Sequence, residues 1–199
     1  MSYFLTTSTP LTSPRTKDLG RIVSELSSFR KNTPTITTAD EYNALLRKLV
    51  ALLKQHSFPK TPAVTHDNEI KAILQSKPLT EKVIWGGVSL KKIDVAKNLV
   101  QKLLVINAFG ILGFEIHQKK LEKLKVLEGF CLVLYSNHKK KGWEKGAVSL
   151  KLAGPDDCFT FEPHDEHGII ALTDCVIEET STNHLDDLIY IFPSKQISN

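Results

Sequence analysis

The last third of the chain, after residue 129, consists of short apolar segments separated by turn residues. The segment 130–135 is continuously apolar, and 147–152 alternates strictly between apolar and other residues. Similar segments follow at 158–161, 169–177 (one bent strand or two) and 188–192. Apolar or alternating runs of this length, bounded by turn residues, are typical of β-strands. We therefore predict a small, mostly antiparallel sheet of about five strands in this part of the chain.

The part before residue 129 shows the apolar spacing of helices instead, with apolar residues recurring every three or four positions. Thr38 or Asp40 provides a capping residue for one of these segments. The spacing predicts helices at about 16–31, 39–56, 67–76, 90–108 and 114–127.

Three consecutive parts follow from these patterns. Residues 1–15 are rich in Ser, Thr and Pro, and we predict a flexible arm. Residues 16–128 form a basic helical part of about four to five helices, and residues 129–199 form a β-rich part with an acidic C-terminal region. The predicted fold class is therefore α+β, with one compact unit from about residue 36 onward.

Composition excludes two broad classes. With 199 residues, of which 41% are hydrophobic, the chain is too apolar for a wholly disordered protein and too polar for a multi-span membrane protein. The sequence has no signal-peptide pattern and no apolar run of membrane-spanning length. Its three cysteines include no close-spaced pair, which favours reduced thiols. We expect a cytoplasmic protein that is not secreted and has no transmembrane segment.

The formal net charge of +4 conceals a strong segregation of charge along the chain. Residues 1–153 hold 25 basic and 12 acidic residues, a net charge of +13. Residues 154–199 hold one lysine and ten acidic residues, a net charge of −9. Opposite charges on the two parts favour pairing within the chain or association between chains, so we expect self-association.

Three lysine-rich clusters predict a surface for an anionic partner. Two clusters lie on the predicted helices 90–108 and 114–127, and the third lies in a loop beside a tryptophan. Lysine contacts phosphate without reading base sequence, and an indole can stack on a base or enter a membrane interface. The candidate binding residues are Lys91, Lys92, Lys97, Lys102, Lys119, Lys120, Lys123, Lys139, Lys140, Lys141, Trp143 and Lys145. Alternatively, these lysines only maintain solubility and block pairing of edge strands.

These features predict a non-enzymatic structural or accessory protein that binds nucleic acid, RNA first, independently of sequence. An anionic membrane surface is the other candidate partner. The layout of arm, basic helices and acidic sheet is similar to that of viral matrix and RNA-binding proteins, although no motif is shared. Two alternatives remain open, namely an adaptor whose helix 16–31 docks on another protein and a protein associated with a membrane surface.

No segment carries a motif for catalysis or cofactor binding, and we predict neither catalytic residues nor a cofactor. The most metal-like pattern is a group of four side chains within 18 residues: Cys158, His164, His167 and Cys175. Their spacing lacks the close cysteine pairs of a standard zinc site, so we predict a polar turn and no metal. A Cys/His metal-dependent enzyme remains a further alternative. His117 is interpreted as a surface or boundary residue of a helix.

Overall fold

The computed structural model describes residues 1–7, 19–56, 58, 81–83, 85–137 and 139–192. These residues form two helices, α1 (Gly20–Lys31) and α2 (Ala39–Leu53), and twelve strands. The first six strands are β1 (Phe4–Leu5), β2 (Glu81–Val83), β3 (Gly86–Asp94), β4 (Leu99–Ile106), β5 (Ile111–Ile116) and β6 (Glu122–Glu128). The others are β7 (Cys131–Ser136), β8 (Ala147–Ala153), β9 (Cys158–Phe161), β10 (Glu166–Ala171), β11 (Cys175–Ser181) and β12 (Ile189–Phe192).

The strands form two six-stranded sheets. The first sheet has the order β1-β8-β7-β10-β5-β12, and the second has the order β2-β3-β4-β11-β6-β9. All pairs are antiparallel except β1 with β8. Strands β4 to β11 pass repeatedly from one sheet to the other, as in a double-sheet jelly roll.

The first sheet is buried on both faces. On β7, Leu132 and Leu134 face the helices, whereas Cys131 and Val133 face the second sheet. Successive side chains of a strand point to opposite faces, so a strand covered on both sides needs apolar residues at every position. This double cover explains the continuous apolar run of residues 130–135.

The two helices form a third layer on the outer face of the first sheet. Helix α1 buries Ile22 and Leu26, and α2 buries Leu46 and Leu49, all in the cluster that includes the first sheet. The apolar face of the predicted helix 16–31 is therefore packed against its own sheet. Within the described part of the chain, neither helix has the length and apolar character needed to cross a membrane.

The predicted α+β fold class is wrong. Residues 90–108 form β3, a turn and β4 instead of a helix, and residues 114–127 lie in β5, a turn and β6. The described residues contain two helices instead of four to five, and their strands form two facing sheets instead of one. The helix predicted at 67–76 and most of the predicted arm, from residue 8 onward, lie outside the described residues.

Inward polar residues explain why these strands resemble helices in sequence. The inward positions of β4 include Lys102, which lines the space between the sheets, while outward Leu103 is fully buried in a small outer cluster. Strand β6 likewise begins with inward Glu122. An inward lysine and an outward leucine remove the strict alternation of polar and apolar residues by which a strand is recognised. The apolar residues that remain match the helical period by chance.

The remaining elements are confirmed within a few residues at their ends. Helices predicted at 16–31 and 39–56 correspond to α1 and α2. The strand segments predicted after residue 129 correspond to β7 through β12.

Candidate metal centre

Two histidines and two glutamates meet between the sheets. Glu115 lies near the end of β5 and His117 directly follows that strand, while Glu122 begins β6 and His167 lies in β10. One ligand atom from each of the four side chains lies within 4.8 Å of the others. Among the described residues, this is the single group of three or more His, Cys, Asp or Glu side chains so arranged.

The distances within the group suit ligands around a common point. His167 Nε2 lies 3.0 Å from Glu122 Oε2 and 3.6 Å from Glu115 Oε1. His117 Nε2 lies 3.8 Å and 3.7 Å from the same two oxygens. His117, Glu122 and His167 are all buried, with 4%, 4% and 3% of their surface exposed. Each imidazole thus faces both carboxylates without solvent around it.

The second oxygen of Glu122 is bound by a buried lysine. Lys120 Nζ lies 2.8 Å from Glu122 Oε1 and 2.8 Å from Glu179 Oε1. Lys102 Nζ lies 3.1 Å from the same Glu179 oxygen, and the Ser181 hydroxyl donates to it over 2.9 Å. This chain of ion pairs leaves Glu122 Oε2 directed at the histidines, because its other oxygen is held by Lys120.

Opposite charges in this group shift its pKa values away from what burial alone would produce. Burial would raise the pKa of Glu122, but the hydrogen bond with His167 and the charge of Lys120 together hold it well below the ordinary value. Burial would lower the pKa of Lys120, yet the charges of Glu122 and Glu179 raise it. The same opposition applies to His167, whose pKa is raised by Glu122 and Glu115 against the effect of burial.

The orientation of His117 is fixed from outside the group. Its Nδ1 lies 2.6 Å from the backbone carbonyl oxygen of Asp187, while its Nε2 is buried and has no hydrogen-bond partner. An unpartnered buried nitrogen that faces two carboxylates is costly unless something occupies the space between them. A metal ion would satisfy all of these groups at once.

The four side chains lie in the wall of a cavity of about 220 Å³ between the sheets. Trp85, Leu104 and Leu112 provide part of its apolar wall. Its other lining residues include Leu185 and Tyr190, which are 54% and 47% exposed and therefore lie at the surface. The cavity therefore extends from the four potential ligands to the surface of the protein.

The lysines predicted to bind an anion occupy different environments. Lys102 and Lys120 line the cavity and are ion-paired there. Lys91 pairs with Glu178 at 2.7 Å and Lys92 with Asp94 at 3.4 Å. The others are exposed and lie in the β3–β4 turn, in the turn before β6, near the start of β6 or in the β7–β8 loop: Lys97, Lys119, Lys123, Lys139, Lys140, Lys141 and Lys145.

Trp143 is half-buried and already engaged. Its indole N–H donates to the carbonyl oxygen of Ala147 over 2.8 Å, and its ring packs edge-on against Tyr135 with centroids 5.3 Å apart. These contacts fasten the loop to the sheet.

Only His167 of the four sequence candidates for a metal site joins the group. Cys158 is exposed on β9, and Cys175 is buried, where its thiol donates to the carbonyl oxygen of Phe130 over 3.1 Å. His164 lies in the turn before β10 with a positive φ of 76°.

Sequence reasoning missed the other three members, Glu115, His117 and Glu122. The available signal was the spacing of Glu115 and His117, since two residues two positions apart on a strand project from the same face. Placing residues 114–127 on a helix removed that signal. Nothing in the local sequence indicates that His167, 45 residues after Glu122, lies opposite them.

No family model and no curated protein matches the sequence. Among solved structures, it is similar to KdgF from Halomonas sp., with a TM-score of 0.44, 16% identity, and coverage of 57% of this chain and 92% of that one. It is also similar to oxalate decarboxylase from Bacillus subtilis, a protein with Mn(II) centres, with a TM-score of 0.48, 12% identity, and coverage of 59% of this chain and 31% of that one.

A third similar structure is Peruvianin-I, a cysteine peptidase from Thevetia peruviana latex, with a TM-score of 0.48, 15% identity, and coverage of 69% of this chain and 87% of that one. All three likenesses are distant, with TM-scores below 0.5 and at most 16% identity. The residues of the cavity itself therefore carry the assignment of a metal centre.

The prediction of a non-enzymatic, sequence-independent RNA-binding protein with a viral matrix-like layout is wrong. The basic helices that this layout requires are strands. The interior also holds a His/Glu group with the geometry of potential metal ligands, which that prediction did not include. Self-association and a protein or membrane partner stay predictions.

Proposed function

We propose that this protein is a metal-dependent enzyme whose centre consists of Glu115, His117, Glu122 and His167. The observation that carries the proposal is the convergence of four ligand atoms within 4.8 Å of one another beside a cavity. A group of buried histidines and carboxylates in a cleft is the usual starting point for assigning a catalytic site.

The donor atoms favour a divalent ion of the first transition series. Two imidazole nitrogens and two carboxylate oxygens suit manganese, iron, cobalt, nickel or zinc, whereas the absence of a thiolate in the group disfavours soft ions such as Cu(I). Such an ion, when held by these four residues, would act as a Lewis acid toward an oxygen atom of the substrate.

The residues around the centre have distinct tasks. Glu122 presents Oε2 to the centre because Lys120 holds Oε1, and Lys102 with Ser181 keeps Glu179 in place behind Lys120. The ring of Phe161 stacks on that of His167 with centroids 4.0 Å apart and an interplanar angle of 5°, which fixes the plane of that imidazole. These contacts hold the four metal-binding side chains in place before a metal ion binds.

The cavity restricts the substrate to a small molecule. Its volume of about 220 Å³ is below the range of roughly 300–1,000 Å³ that is usual for drug-sized ligands. One part of the cavity is polar and carries the potential metal ligands, whereas Trp85 and Leu112 line another part of the cavity. We infer a small molecule with an oxygen group for the metal, such as a hydroxy or keto acid.

Metal content tests the first part of the proposal. The full chain is loaded separately with Mn²⁺, Fe²⁺, Co²⁺ and Zn²⁺, desalted, and analysed by elemental mass spectrometry. We expect about one ion per chain in the wild type and a large loss in His117→Ala and His167→Ala.

The matched control is His56→Ala. His56 also pairs with a glutamate, its Nε2 lying 2.6 Å from Glu25 Oε2, but this pair lies in the helical layer away from the group of four. The control should retain the metal. Equal metal content in His117→Ala, His167→Ala and the wild type would overturn the assignment.

Turnover tests the enzymatic part. Loaded wild type and His117→Ala are incubated with a panel of small hydroxy and keto acids, and conversion is followed by mass spectrometry. Conversion that requires both the metal and His117 supports an enzyme, whereas metal binding without conversion of any panel member would reduce the proposal to a metal-binding protein.

A further inference from the structure

We propose that Asp187 is the positioning residue of this centre: its backbone carbonyl orients His117, and its carboxylate fastens the cavity wall to the loop that carries the ligands. This inference rests on the proposed function, because positioning matters only if the group of four binds a metal. Asp187 is not one of the four potential metal ligands, and it does not line the cavity. It acts through His117 and through the turn at residues 117–121.

The carboxylate of Asp187 accepts three backbone N–H groups of that turn. The N–H of Lys119 donates over 2.6 Å, that of Lys120 over 2.9 Å and that of Gln118 over 3.2 Å. Hydrogen bonds to a charged acceptor are stronger than neutral ones. One side chain thus fixes the turn between His117 and Glu122, the two ligands that flank it.

Electrostatics agree with this geometry. Loss of contact with solvent would raise the pKa of Asp187, but the three N–H donors hold it below its ordinary value. The carboxylate is therefore charged at neutral pH and remains a strong acceptor.

The backbone carbonyl of Asp187 decides which nitrogen of His117 carries the proton. A carbonyl oxygen only accepts, so Nδ1, 2.6 Å away, must donate its N–H to it. In neutral imidazole the other nitrogen then has a free lone pair. That nitrogen, Nε2, is the one that faces Glu115 and Glu122, so His117 is held in the tautomer that binds a metal.

A second pair of hydrogen bonds fastens the other end of the same segment. Leu121 N–H donates to the Thr182 hydroxyl over 3.1 Å, and Thr182 N–H donates to the Leu121 carbonyl oxygen over 3.0 Å. Between these anchors and Asp187 lie His184 and Leu185, which line the cavity. Asp187 therefore links the position of His117 to the position of His184 and Leu185 in the cavity wall.

The first test compares Asp187→Ala with Asp186→Ala. Both variants remove one negative charge from neighbouring positions, and Asp186 is exposed. Isothermal titration of the full chain with Mn²⁺ should show affinity reduced roughly 10–100-fold in Asp187→Ala and unchanged in Asp186→Ala. Equal affinities in the two variants would overturn the proposal.

The second test needs no metal and reads the tautomer directly. Nitrogen NMR of histidine-labelled protein should show the Nδ1–H form of His117 in the wild type and in Asp186→Ala. Asp187→Ala keeps the backbone carbonyl but loses the carboxylate that holds it beside His117, so we expect a mixture of forms in that variant. A merely structural role of Asp187 would leave this signal unmoved. An Nε2–H form in the wild type would contradict the proposal.

Asp187→Asn keeps the measurement interpretable where the alanine variant fails to fold. Asparagine retains one acceptor oxygen for the turn, so we expect an intermediate loss of affinity. A wild type that binds none of Mn²⁺, Fe²⁺, Co²⁺ and Zn²⁺ but shows the Nδ1–H form would refute the metal centre and leave the orientation of His117 by Asp187 intact, so the two failures are distinguishable.

Discussion

A single lysine, Lys120, connects the polar interior of this protein to its candidate centre. Its ammonium group lies between Glu122 and Glu179, at 2.8 Å from each, and is almost completely buried. Removing one partner from a buried ion pair is strongly destabilising, because the charge left behind has neither water nor a counter-ion. In this protein the same removal would also release Glu122 Oε1 and disturb the direction of Oε2.

We therefore predict that Lys120→Met lowers the free energy of unfolding by about 3–5 kcal/mol, measured by urea denaturation of the metal-free protein. The control is Lys119→Met, whose side chain is exposed and which should change stability by less than about 0.5 kcal/mol. Similar losses in the two variants would show that the buried ion pairs contribute no more than a surface charge.

At the scale of the element, α2 is the segment whose sequence most directly specifies its structure. Thr38 accepts the N–H of Glu41 through its hydroxyl over 3.2 Å, and the Glu41 carboxylate accepts the N–H of Thr38 over 3.0 Å. This reciprocal pair is a capping box, and it satisfies donors that the first helical turn leaves free. The apolar residues that follow recur with the helical period, and those that are buried belong to the cluster that includes the first sheet.

Thr38→Ala should accordingly lower the free energy of unfolding by about 1 kcal/mol, because the N–H of Glu41 loses its acceptor. Thermal or urea denaturation followed by circular dichroism measures the change. Ser24→Ala, on the exposed side of α1, serves as the control and should be neutral or slightly stabilising. A loss in Ser24→Ala as large as in Thr38→Ala would contradict this account of the cap.

Strands β4 and β6 show the limit of reasoning from single elements. Their inward positions include Lys102 and Glu122, which local patterning assigns to a solvent-exposed face. These residues are tolerated inside because each has a partner there. Lys102 pairs with Glu179 on β11, and Glu122 pairs with Lys120 and contacts His167 on β10. Neither the pairing nor the resulting strand can be read from a window of ten or fifteen residues.

At the scale of the whole molecule, a bound metal would join strands from both sheets. Glu115 and His167 belong to the first sheet and Glu122 to the second, so an ion held by all three would link the two layers. A ligand that binds only the folded protein stabilises it in proportion to the logarithm of its free concentration over Kd.

We therefore expect metal to raise the melting temperature. At a free Mn²⁺ concentration about a hundred times Kd the gain is about 2.7 kcal/mol, or roughly 5–10 °C for a chain of 199 residues. Scanning calorimetry with and without Mn²⁺ measures it. His56→Ala should retain the shift and His167→Ala should lose it, whereas an equal shift in both variants would place the bound ion elsewhere.

The elements that depend on neighbours along the chain could be predicted from the sequence alone. The capping box and helical period of α2, and the continuous or alternating apolar runs of β7 and β8, are local signals, and the structure contains these elements. In contrast, the strands β3 to β6 and the meeting of Glu115, His117 and Glu122 with His167 depend on contacts between distant parts of the chain. The reason is that a buried charge is stable only beside its partner, and these partners lie on strands that are distant in sequence and adjacent only after the two sheets have closed.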